Sequence, residues 1–387
     1  MSQDFSGAGR RHLQNESYGV AAFCFYRAIH AQPADAGAWN GLVLALSLMR
    51  RESDTQTILA RYALQQQLPY DKQMVSIAFM MFQNSPPALI GWARSMESRP
   101  GVDAQQRQSY GKMAEDIEAT YRKLSEERGE EALKRQGMLT LEEYAARVIE
   151  LDWTLKGSPD ALFSQAETWL KDDRTVLTAV RMLCLLPDPR SERLLRRVCR
   201  DEAIPGKMRT HALLALRWLG VRGNVRLHKL GEPFVIDLNE PKPELTISVP
   251  AAYKPALERM RLWMAKERGT VTTEEYEGYA SSEVEELPEA LAGKVKEADL
   301  PGILQEVVHT VIRSAYDEYY PLVPAVQGYR SWSNAFLMIM KEYVEASGGG
   351  WSYGVLEQDD TAVLHRNWLL SATPDFHEQI AASRKNG

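Results

Sequence analysis

The chain has 387 residues and a mass of 43.8 kDa, enough for two or three compact units, with 44% hydrophobic and 25% charged residues, as in an ordinary folded soluble protein. Its net charge of -6 names no partner, and three scattered cysteines (Cys24, Cys184, Cys199) exclude a disulfide framework and point to buried thiols in a reducing compartment. The opening Met-Ser-Gln-Asp-Phe lacks a signal peptide's basic start and apolar run, and no apolar stretch is long enough to cross a bilayer, so a cytoplasmic location is expected.

The first hundred residues read as antiparallel helix pairs, with Pro33, Pro69 and Pro100 near the ends of successive pairs. Ala21, Phe25 and Ala28 precede Pro33, and Ala88, Trp92 and Ser95 precede Pro100. Trp39 and Leu42 open the middle unit, which closes with Ala63 and Pro69. Gly9 and Ala21 are small where two helices must approach, and proline cannot continue a helix because it has no N–H to donate. Val43 stands where the second unit would carry a small residue. Val75, Ser76 and Phe79 occupy the first helix of the third unit.

This pattern resembles the tetratricopeptide repeat, a helix pair with a period of about 34 residues that serves as a surface for gripping other proteins. The resemblance implies a concave wall made of the first helix of each unit: Arg10, Leu13 and Gln14, then Asn40, Leu44, Ser47 and Leu48, then Gln73, Ile77, Met80 and Met81. The family's carboxylate-gripping version needs lysine and asparagine at several of these places, and only Asn40 comes close. A groove lined by Leu44, Ile77, Met80 and Met81 suits an apolar helix or extended peptide, since methionine adapts to irregular surfaces.

Residues 103–136 are polar and end in Glu126-Glu127-Arg128-Gly129-Glu130-Glu131, which predicts one long helix capping the array, solvated on one face. Gly137 breaks it, and Thr140 with Glu143 forms a capping box that starts the next helix. Ser158-Pro159-Asp160 is another helix start. Pro189, Leu194, Val198 and Asp201, followed by Met208-Arg209, Ala212, Ala215-Leu216 and Leu219-Gly220, resemble a HEAT repeat in the order of turn aspartate and small-residue stripe. Phe234–Ile236 and Leu245–Val249 are β-branched, bounded by prolines, and predict two short strands. Helices are expected at about 251–268, 283–299, 301–319 and 330–346, before Gly348-Gly349-Gly350, a flexible connector, and a last segment with Trp351, Trp368 and Phe376. Tyr316, Tyr319, Tyr320, Tyr329, Trp332 and Phe336 are read as core of this third region, the helix led by Trp332 being buried on most sides.

The expected architecture is therefore all-α: a solenoid of helical hairpins, then a smaller, mostly helical C-terminal domain, with a short β-hairpin at the junction. The expected division is 1–137, 138–230 and 231–387. A fragment ending near Gly137 is expected to fold alone, since each repeat contacts mainly its neighbours.

Signals for chemistry fail one by one. Gly111-Lys112 runs into Met113 and Gly293-Lys294 into Val295, where a phosphate loop needs serine or threonine. His377-Glu378 begins like a zinc-protease helix, but Ala381 stands in place of the second histidine. No Gly-x-Ser-x-Gly turn occurs. No catalytic, cofactor or metal residue is assigned, and a non-enzymatic adaptor or scaffold binding a protein or peptide partner is the expectation. Charge supplies the alternative. Residues 189–229 hold eleven basic and three acidic residues, while 271–299 hold two basic and nine acidic. Arg193, Arg196, Arg197 and Arg200 share one helix face. That face is read as solvated, as docked on the acidic stretch of the same chain, or as the phosphate contact of a nucleic-acid-associated regulator.

Overall fold

Three helix pairs open the chain in the computed structural model, which describes residues 4–378 and 380: α1 (Phe5–Gln14) with α2 (Tyr18–Ala31), α3 (Ala36–Leu48) with α4 (Glu52–Ala63), and α5 (Lys72–Phe82) with α6 (Pro86–Glu97). An aspartate starts the first helix of each pair. Asp4 accepts from the Gly7 N–H at 2.8 Å, Asp35 from Ala38 at 3.0 Å, and Asp71 from Gln73 and Met74 at 2.8 and 3.1 Å. Each cap satisfies otherwise orphaned backbone donors and contributes about 1 kcal/mol.

Helix α1 packs on α2 and α3, and α3 on α2, α4 and α5, so the first helices of the pairs lie beside one another. Phe25 of α2 is fully buried where they meet. A Cβ added to Gly9 of α1 or to Gly41 of α3 would overlap its ring, so both glycines are there for close approach. The three prolines each supply an acceptor: Pro33 O takes the Trp39 Nε1–H at 2.9 Å, Pro69 O the Tyr62 hydroxyl at 2.6 Å, and Pro100 O the Tyr70 N–H at 2.8 Å. Arg99, fully buried, donates to the carbonyls of Tyr62, Ala63 and Leu68 and lies over the Tyr62 ring, putting a cation at the C-terminus of α4.

Gly129, at φ 81°, divides the expected capping helix into α7 (Ala104–Arg128), which packs along α6, and α8 (Glu130–Arg135). The Thr140–Glu143 capping box forms and starts α9 (Leu141–Ala145). Helices α10 (Glu150–Lys156), α11 (Pro159–Trp169, capped by Ser158), α12 (Val176–Leu183), α13 (Pro189–Val198) and α14 (Gly206–Trp218) follow. Helix α9 packs on α4 and α6, and α10 on α2.

The chain divides into two compact units. The first runs up to Asp201 and includes His211–Val225; the second comprises Glu202–Thr210 and everything from Arg226. In the second unit the strands differ from expectation. The expected segment Phe234–Ile236 lies in β2 (Glu232–Asp237), but its partner is β1 (Asn224–Lys229), and 245–249 forms no strand. Leu230 and Gly231, at φ 51° and 80°, make the tight two-residue turn that pairs adjacent segments. At 245–249 the Thr246 hydroxyl instead accepts the Ser248 N–H at 3.1 Å, a local turn that competes with pairing.

After a single 3₁₀ turn at Ala251–Tyr253 come α15 (Lys254–Glu267), α16 (Thr273–Ala280), α17 (Glu289–Glu297), α18 (Gly302–Tyr319), α19 (Tyr329–Ala346) and α20 (Asp360–Ser371). Helix α16 was not expected, although Thr272 and Glu275 cap it as a capping box. The helix expected from 283 begins only at Glu289, because Pro288 drives the residue before it out of helical geometry. Helix α19 packs on α15, α18 and α20 and buries Trp332, Phe336, Leu337, Ile339 and Met340, with the His365 ring stacked on Trp332 at 3.9 Å. Lys229, 1% exposed, donates to Asp317 O and Glu318 O at 2.8 and 2.7 Å and so neutralises the C-terminus of α18.

Candidate interaction wall

Helices α1, α3 and α5, on which the wall is expected, lie side by side, and two of the expected residues meet directly. Asn40 Nδ2 of α3 donates to Asp71 Oδ2 at 2.8 Å and lies 3.4 Å from Gln73 Oε1 of α5. Asp71 thus caps α5 with one oxygen and holds Asn40 with the other. Arg10 and Gln14 are exposed on α1, the Arg10 guanidinium reaching the Ser6 hydroxyl at 3.3 Å. Leu13, Leu44 and Ser47 are half-buried, Gln73 is exposed, and Leu48 and Met80 keep 42% and 61% of their surface in solvent.

One of the candidate residues sits otherwise than a groove-lining role would ask. Ile77 is buried in the core, because it falls on the face of α5 that carries Met74 and Ala78 inward. Met80 and Met81 line a polar cavity of 320 Å³ with Glu52, Gln56 and Tyr144 at the end of α5, where Gln56 Nε2 donates to Met81 O at 2.8 Å.

Comparison with family models, curated proteins and solved structures finds no match.

Arg193 and Arg197 on α13 and Arg200 in the turn after it are exposed, while Arg196 pairs with Glu192 at 2.8 Å and reaches Asn224 O. In the second unit the acidic stretch finds local cations: Glu275 with Lys294, Glu277 with Arg330 and Glu286 with Lys254.

Sequence reasoning missed the buried charges behind the wall. Arg51, the residue just before α4, pairs with Asp54 and Glu150, both at 2.6 Å, and Arg181 of α12 reaches Glu150 at 3.1 Å. Burial works to raise the Glu150 pKa, but Arg51 and Arg181 more than offset it and hold the carboxyl below its ordinary range. Cys184, against the same arginine, has its thiol pushed up to about 11 by burial, which makes it inert. Arg61 forms a second cluster with Asp152, the Tyr26 hydroxyl and the carbonyls of Ala145 and Arg147. The only sequence signal was the presence of arginines within helices rich in buried residues.

Among the described residues no group of three or more His, Cys, Asp or Glu is placed to hold a metal ion. His377 Nε2 lies 2.8 Å from Glu342 Oε2, and Ala381 lies outside the described residues. No described helix is long and apolar enough to cross a membrane.

Proposed function

We propose that the chain is a non-enzymatic interaction adaptor of the tetratricopeptide type, with a HEAT-like unit following, and that it holds a partner peptide or helix on the face shared by α1, α3 and α5. The observation that carries this reading is the contact of Asn40 with Asp71 and Gln73, which makes one continuous surface of two consecutive units. Exposed Leu48 and Met80 add apolar area at the other end of the same helices. Because each is already in solvent, a charge at either position is tolerated in the free protein and penalised only when a partner covers it. Leu48→Glu with Met80→Glu should remove the partners captured from a native extract and leave the circular dichroism unchanged; an unchanged set of partners would place the surface elsewhere.

A second reading has one observation of its own, the exposed Arg193 and Arg197 on α13 with Arg200 just after it. It assigns that face to a nucleic acid. Binding of that kind weakens steeply as salt rises, whereas capture by an apolar wall hardly responds.

A further inference from the structure

Glu258 and Arg261 of α15 stand one helical turn apart, the spacing at which a carboxylate and a guanidinium on one helix normally meet. Here they form no ion pair. Arg261 donates its Nε to Gln305 Oε1 of α18 at 2.7 Å, which leaves its two terminal nitrogens unused. Glu258 keeps Oε2 buried with no hydrogen-bond partner. Both side chains border a cavity of 390 Å³, within the size range of small-molecule sites, closed on its other sides by α17 and the turn after it.

The lining is mixed in a specific way. Lys296 and Asp299 add one charge of each sign at the exposed edge, and Val295 with Leu300 supplies an apolar wall. The turn is braced: Arg268 donates to the carbonyls of Ala298 and Asp299, and Asp299 is held at φ 46°. The buried Glu258 oxygen needs a partner and the terminal nitrogens of Arg261 are free to take an anion, so one ligand can serve both if it carries a cation and an anion on neighbouring atoms. Burial lowers the Arg261 pKa, a cost that a bound carboxylate would relieve.

We propose that this cavity binds a free α-amino acid with an aliphatic side chain, its carboxylate on Arg261, its ammonium on Glu258 and its side chain against Val295 and Leu300. The site belongs to the second unit and does not depend on the adaptor reading. The test is calorimetric titration of the full chain with L-leucine, with leucinamide, which lacks the carboxylate, and with 4-methylpentanoate, which lacks the amine. Leucine should bind saturably and each analogue at least about tenfold more weakly, a difference of one decade in Kd. Arg261→Gln should bring leucine down to the level of leucinamide, and Glu258→Gln to that of 4-methylpentanoate. Should either variant fail to fold, the comparison of the three compounds on the unaltered chain still decides. No saturable leucine binding up to about 10 mM, beyond the millimolar range of weak sites, would overturn the proposal, as would equal binding of all three.

Discussion

Arg61 Nη2 donates to Asp152 Oδ2 at 3.0 Å, tying α4 to the first turn of α10 across 91 residues of sequence. The same carboxylate accepts the Ile149 N–H at 2.9 Å and the Tyr26 hydroxyl, so one aspartate caps its own helix and anchors two others. Asp152 is 8% exposed and the Arg61 side chain 24%, so water does little to replace what either loses.

Replacing Asp152 by Asn keeps the shape but removes the charge that balances Arg61. Breaking one partner of a buried pair costs about 3 kcal/mol, because the other charge remains desolvated. Urea unfolding should show a loss of that size, and Tyr26→Phe a smaller one of about 2 kcal/mol, as for a hydrogen bond to a charged group. A change within error in Asp152→Asn would remove the cluster from any account of this unit's stability.

A fragment ending at Gly137 lacks Glu150 and Asp152, and so leaves Arg51 and Arg61 without their carboxylates from α10. Repeat logic alone expects that fragment to fold as well as the longer one. The charge clusters predict instead that it melts well below a fragment ending at Val225, with circular dichroism as the check. Equal melting of the two would show that α9 and α10 add little.

Gly41→Ala tests the contact that sets the spacing of α1, α2 and α3. Alanine gains up to about 1 kcal/mol in helix propensity, but overpacking a closed core costs about 1–3 kcal/mol. With Phe25 fully buried the clash should win, giving net destabilisation, and Phe25→Leu in the same background should recover part of it.

Acid should act oppositely on two aspartates. Burial works to raise Asp152, but Arg61, the Ile149 N–H and Tyr26 outweigh it and depress its pKa. Its contribution is full above the unfolded value of about 4 and lost as pH falls through the lower folded value. Asp317 is raised to about 6, chiefly by burial. The folded state then binds its proton more tightly than the unfolded chain does, so stability from this group rises as pH falls from about 7 towards 4. Hydrogen exchange in α18, corrected for intrinsic rates, should slow between pH 7 and 5, whereas exchange in α10 should quicken only below about pH 4.

The sequence by itself determined the helical class, the capping box at Thr140, the start at Ser158 and the burial of the helix led by Trp332, because capping and amphipathic spacing are local and depend on neighbours within a turn or two. Its strand partner for β2 was wrong, since the β-branched run at 245–249 outweighed the less conspicuous turn at Leu230-Gly231. Only the tertiary structure decided that Ile77 faces the core while Met80 faces solvent, and that Arg51 and Arg61 find carboxylates about a hundred residues away. A buried charge is tolerated only beside its partner, and that pairing is set by how helices distant in sequence pack, which no local pattern records.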